Sequence, residues 1–70
     1  MKLILTKHSK QRMIERKIKI SEVEETINFP DYTINKNNKV EAYKAIENKS
    51  LKVVYSIKGK FIKIITVILK

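Results

Sequence analysis

The sequence predicts an α+β fold: two N-terminal helices packed on a four- to five-stranded antiparallel sheet, in the order βααββββ. Three observations lead there. Between a short opening apolar run and Pro30, good helix formers dominate and neither Gly nor Pro interrupts. After Pro30 the apolar pattern changes to strict alternation, the period of half-buried strands. With 43% apolar residues, one Gly and one Pro, the composition suits a packed globule rather than a basic disordered tail. At 70 residues the chain, 1–70, is one domain. Domains of this size bury only ~60% of the surface that the unfolded chain exposes, so one packed face and no large substrate cavity is expected.

Each element has its own signal. Lys2-Leu3-Ile4-Leu5-Thr6 reads as a strand that stops at the polar cluster His8-Ser9-Lys10-Gln11. Ser9 to Lys17 reads as the first helix, with Met13, Ile14 and Ile18 as a sparse apolar side. Ser21 followed by Glu24 forms a capping box for the second helix, where Glu22 and Glu25 add negative charge at the positive end of the dipole. Val23 and Ile27 lie one turn apart on its buried side, and Pro30 stops it near Asn28 by pushing Phe29 out of the helical region. Asp31 to Asn35, Val40 to Ile46, Leu51 to Lys58 and Lys60 to Leu69 then alternate as strands. Their connections are Lys36-Asn37-Asn38-Lys39, Glu47-Asn48-Lys49-Ser50 and Lys58-Gly59. The result is a meander of antiparallel strands covered on one side by the helices.

The last strand is apolar on both sides. Strict alternation puts Ile62, Ile64, Thr66 and Ile68 on one face, and Phe61, Ile65, Val67 and Leu69 with Lys63 on the other. Two short helices cover only one face of such a sheet. Either the second face is a surface for self-association or a partner, or this is the central strand with lysine stems over its far side.

A formal charge of +9 on so few residues predicts an anionic partner: RNA, DNA or an acidic protein. Coding bias toward lysine is the alternative source of the charge. No cysteine and a single histidine remove disulfides, thiolate chemistry and the usual zinc ligand sets, so neither metal nor cofactor is expected. The opening apolar run is too short for a secretory segment and no stretch is long enough to span a membrane, so a cytoplasmic location is expected.

His8, Arg12 and Arg16 are the candidate catalytic residues. Spaced four apart on a helix, they fall in a band about 80° wide that holds the one imidazole and both guanidiniums. Arginine offers a planar fork that matches phosphate, and histidine exchanges protons near neutral pH. Together they suit metal-free RNA cleavage, in which a 2′-hydroxyl attacks its own phosphate. The opposing reading makes His8 a helix cap and pairs the arginines with Glu22, Glu24 or Glu25. The buried side of this helix is also open: Lys10 and Lys17 interrupt the Met13 and Ile14 side, and an arc centred on Ser9, Met13 and the Arg12 stem places the stripe at the sheet edge. Tyr43 with Lys44, Lys52 and Lys63 forms a candidate nucleic-acid-binding set, since strand tyrosines stack bases while lysines follow the backbone. Tyr55 shares a face with Leu51, Val53 and Ile57 and belongs to the core.

The run His8-Ser9-x-x-Arg12-Met13-x-x-Arg16-x-Ile18, with Ser21-x-Val23-Glu24, Asn28-x-Pro30 and Ile64-Ile65-Thr66-Val67, resembles the family catalogued as domain of unknown function 4258 across nearly the whole chain. That family is similar in architecture to the RelE and ParE toxin superfamily, small basic proteins with two helices on an antiparallel sheet. The resemblance carries over His8, Arg12, Arg16 and Thr66. It departs at Ser9, where Ala is usual, at Lys17, where Gly is frequent, and at Ile68, which replaces an aromatic residue. It implies a toxin-like fold, RNA or the ribosome as partner, and an antitoxin protein on the exposed sheet face; a homodimer is also compatible. The expected function is a toxin-like, metal-independent RNA endonuclease of the mRNA-interferase kind. Arg12 and Arg16 would hold phosphate and His8 would move protons. The alternatives are a non-catalytic module binding nucleic acid or protein through the same fold, and a ParE-like poison that binds a protein target.

Overall fold

The computed structural model describes residues 2–70 and follows the expected order of elements: β1 (Lys2–Leu5), α1 (Lys7–Arg16), α2 (Ile20–Asn28), β2 (Tyr32–Lys36), β3 (Lys39–Ile46), β4 (Lys49–Lys58) and β5 (Phe61–Leu69). Strands β2 to β5 form the antiparallel meander. The sheet as a whole is mixed, in the order β1-β5-β4-β3-β2, because β1 runs parallel to β5 with Lys2 to Leu5 opposite Phe61 to Ile64. An all-antiparallel meander is therefore corrected. The chain leaves β1 directly into a helix, so β1 has no hairpin partner and docks at the edge opposite β2.

Backbone chemistry fixes the connections. Asn37 and Asn38 both take positive φ, 43° and 66°, as the type I′ turn between β2 and β3 requires. Gly59 sits at φ 60° between β4 and β5, where an L side chain is strained. Thr6 caps α1, so this helix starts two residues before the expected Ser9. Its Oγ1 accepts from the Ser9 N–H at 3.1 Å and reaches the Ile65 carbonyl at 3.3 Å. Lys17 ends α1 in the left-handed region, and the Ile18 N–H returns to the Met13 carbonyl at 2.9 Å. Burial of Ile18 keeps this connection short, so α2 begins at Ile20. The expected Ser21 and Glu24 capping box is displaced as a consequence: the Glu22 carboxylate accepts from the Lys19 N–H at 2.9 Å.

The core lies on the face that both helices cover. Met13, Ile18 and Val23 pack with Ala42, Leu51, Val53 and Tyr55, and with Ile62, Ile64 and Val67 of β5. Val23, Leu51, Val53, Ile64 and Val67 are fully buried; of the expected inward set on β4, Leu51, Val53 and Tyr55 are in the core, whereas Ile57, near the open end of the strand, is 54% exposed. Ile14, expected on the apolar side of α1, is 79% exposed; the buried arc of that helix is Ser9 and Met13. A β-bulge resolves the two-faced last strand. Tyr55 pairs with Ile64 and Val54 with Thr66, so Ile65 is the extra residue and the alternation changes phase there. Ile62, Ile64, Val67 and Leu69 then share the core face, while Phe61, Lys63, Thr66 and Ile68 share the other. The expected assignment of faces by strict alternation is corrected accordingly. The uncovered face of β5 is mixed, not continuously apolar.

Candidate functional site

Because α1 buries Ser9 and Met13, its His8, Arg12 and Arg16 band turns toward the edge of the sheet. β1 ends opposite Ile64, which leaves Thr66 to Leu69 of β5 with a strand neighbour on one side only. Arg12 and Arg16 come down beside that stretch and line a groove of about 250 Å³ with Thr66, Val67, Ile68 and Leu69. His8 and Arg16 are exposed and Arg12 is half-buried. Arg12 Nε donates to His8 Nε2 across 3.5 Å, a long hydrogen bond that joins two members of the band.

His8 also lines a larger cleft of about 600 Å³ that crosses the uncovered face. Thr6, Lys63 and Ile65 form its near wall, and Ser56, Lys58 and the turn Asn37-Asn38-Lys39 form its far side. Lys63 of the candidate binding set therefore meets His8 in one cleft. No carboxylate lines either depression. Among the described residues, neither arginine nor His8 is in an ion pair. Of the glutamates expected as their partners, Glu22 is paired with Lys49 at 3.5 Å and Glu25 with Lys44 at 3.9 Å, and Glu24, likewise among the described residues, pairs with none of the three. The Lys19 N–H, joined by Lys49, holds the Glu22 carboxyl below the usual carboxylate range against a smaller opposing effect of burial.

The remaining candidates fall in two places. Tyr43 and Lys52 lie on the uncovered face. Tyr43 stacks on Tyr32 with centroids 4.5 Å apart, Lys52 Nζ stands 5.6 Å from its ring, and its hydroxyl donates to Glu41 at 3.0 Å. Glu41 is also within 3.8 Å of Lys52. Lys44 lies on the opposite, helix-covered face. Its ammonium donates to the Phe29 carbonyl at the end of α2 at 2.8 Å and stands 3.9 Å from Glu25 and Asp31. Adjacent residues on a strand point to opposite faces, so the Tyr43 and Lys44 side chains leave β3 on opposite sides of the sheet. Asn37, Asn38, Lys39 and Lys58 were not candidates from the sequence. They belong to turns and strand ends that bear no periodic relation to His8, and only the folded sheet brings them near it.

A basic α+β domain with an arginine-lined edge groove and an acid-free cleft on its open face is thus the class that fold and site define. The chain belongs to the family described as a domain of unknown function (DUF4258), whose model matches residues 5–69. Neither curated proteins nor solved structures provide a significant match.

Proposed function

We propose that this chain is a toxin-like basic protein of the RelE and ParE kind that cleaves RNA without a metal ion. The observation that carries the reading is the contact of the one imidazole with Arg12, whose guanidinium shares a groove beside Thr66 with Arg16, with none of the three in an ion pair among the described residues. A phosphodiester held by Arg12 and Arg16 has its negative charge met by two forked donors. Once its Nε2 is released from Arg12 Nε, the His8 imidazole takes the proton of the adjacent 2′-hydroxyl as that oxygen bonds to phosphorus. The bond from phosphorus to the 5′-oxygen breaks, and the departing oxygen takes a proton from the imidazolium or from water. The products are a 2′,3′-cyclic phosphate and a 5′-hydroxyl end. A positioned general base contributes about 10²- to 10⁴-fold to such a step.

The test is RNA, alone and in a translating extract, incubated with chelator and the wild type, His8→Ala or Arg12→Ala. Cyclic-phosphate ends from the wild type, with a rate lower by about 10²-fold or more in His8→Ala, are expected. Identical fragment patterns from all three proteins overturn the nuclease reading. The stacked Tyr32 and Tyr43 pair beside Lys52 favours a second reading, a module that holds RNA or a protein without cutting it. That module would bind RNA and leave it intact.

A further inference from the structure

The cleft beyond His8 is larger than a phosphate needs. It spans the uncovered face from α1, across β5 and β4, to the tip of the β2–β3 hairpin, and its volume of about 600 Å³ lies in the range of small-molecule sites. Its chemistry is divided. Lys39, Lys58 and Lys63 line it with basic residues, Ile65 with an apolar one, and Asn37 and Asn38 stand at its far end, where they also border a neighbouring depression. A carboxamide presents a donor and an acceptor side by side, which is the complement of the adenine N6 and N7 edge. The turn geometry holds both asparagines at this place, since each takes the positive φ that the hairpin requires.

We infer that this cleft is a base-recognition subsite for single-stranded RNA, in which Asn37 and Asn38 read a purine, adenine ahead of guanine, on the His8 side of the phosphate held by Arg12 and Arg16. The inference rests on the reading of His8, Arg12 and Arg16 as the phosphate site. Double-stranded RNA does not fit the chemistry. Its base edges are paired or lie in a groove too narrow to read, whereas a splayed nucleotide offers both face and edge. Ile65 meets the base face, the carboxamides meet its edge, and the lysines meet the flanking phosphates.

The probes are the four 2′-O-methyl homodinucleotides, which cannot be cleaved by attack of a 2′-hydroxyl, titrated into the full chain and followed by amide resonances. The adenine dinucleotide should bind at least about fivefold more tightly than the uracil one, the lower end of what a bidentate contact discriminates, and should shift the side-chain amides of Asn37 and Asn38. The variant Asn37→Gly with Asn38→Gly keeps the turn, because glycine accepts both φ values. It should lose the preference while resonances of the helices and the rest of the sheet stay in place. Equal affinity for all four probes, or shifts that avoid the two asparagines, overturns the subsite. Adenine preference without cleavage of RNA by the wild type upholds the subsite and removes the nuclease reading. Cleavage that depends on His8 but ignores base identity does the reverse.

Discussion

Arg12 and Arg16 are the only guanidiniums in a chain that otherwise carries fourteen lysines, and both stand at one groove. Lysine keeps the charge but replaces a planar fork with a mobile point charge. Arg12→Lys should therefore lower the cleavage rate by about 10²-fold, near the cost of losing one aimed donor, while the melting temperature stays close to wild type. An unchanged rate would show that charge alone is needed. At this scale the stripe was legible, because four-residue spacing on a helix has one geometric outcome. Lys44 was not. Its recruitment by the Phe29 carbonyl depends on where α2 ends over β3, a relation between residues far apart in sequence.

Caps carry much of the order in short elements such as these. The Thr6 hydroxyl ties the first turn of α1 to the bulge in β5, and the Ser9 hydroxyl donates to the Thr6 carbonyl at 2.8 Å. Thr6→Ala should destabilise the fold by about 1 kcal/mol, read as a lower midpoint in urea. α2 brings a pH dependence. Its Glu22 carboxyl titrates below its ordinary range in the folded chain, so the stability it contributes is complete above the unfolded pKa and is lost as pH falls through the lower folded one. Glu22→Gln should flatten the acid limb of stability against pH, measured by denaturation at steps from neutrality downward. An acid limb as steep as the wild type's would place that dependence in other carboxylates. Existence and order of the elements were readable from period and punctuation. The start of α2 was not, because the pull of buried Ile18 outweighed the local Ser21 and Glu24 signal.

Across the whole molecule, charge is sorted by surface. Glu22, Glu25, Asp31 and Glu41 are taken up by lysines around α2 and the outer strands, while the cleft and groove near α1 hold basic groups without acids. An RNA strand that meets Arg12 and Arg16 and at least one lysine of the cleft releases counterions from three phosphates or more, so the logarithm of affinity should fall with the logarithm of salt at a slope of about −2 or steeper. A slope near zero would argue that the positive surface is not the contact.

Composition, periodicity and turn residues by themselves determined the α+β class, the sequence of elements, most of the inward residues of β4 and the common stripe on α1. These follow from interactions within a few neighbours along the chain. Only the tertiary structure decided that β1 runs parallel to β5, that Ile65 bulges and reverses the faces of the last strand, and that the Asn37 and Asn38 turn opens onto the same cleft as His8. Those outcomes depend on which edges are left to pair and on how two helices fill one face, and neither is written in local spacing.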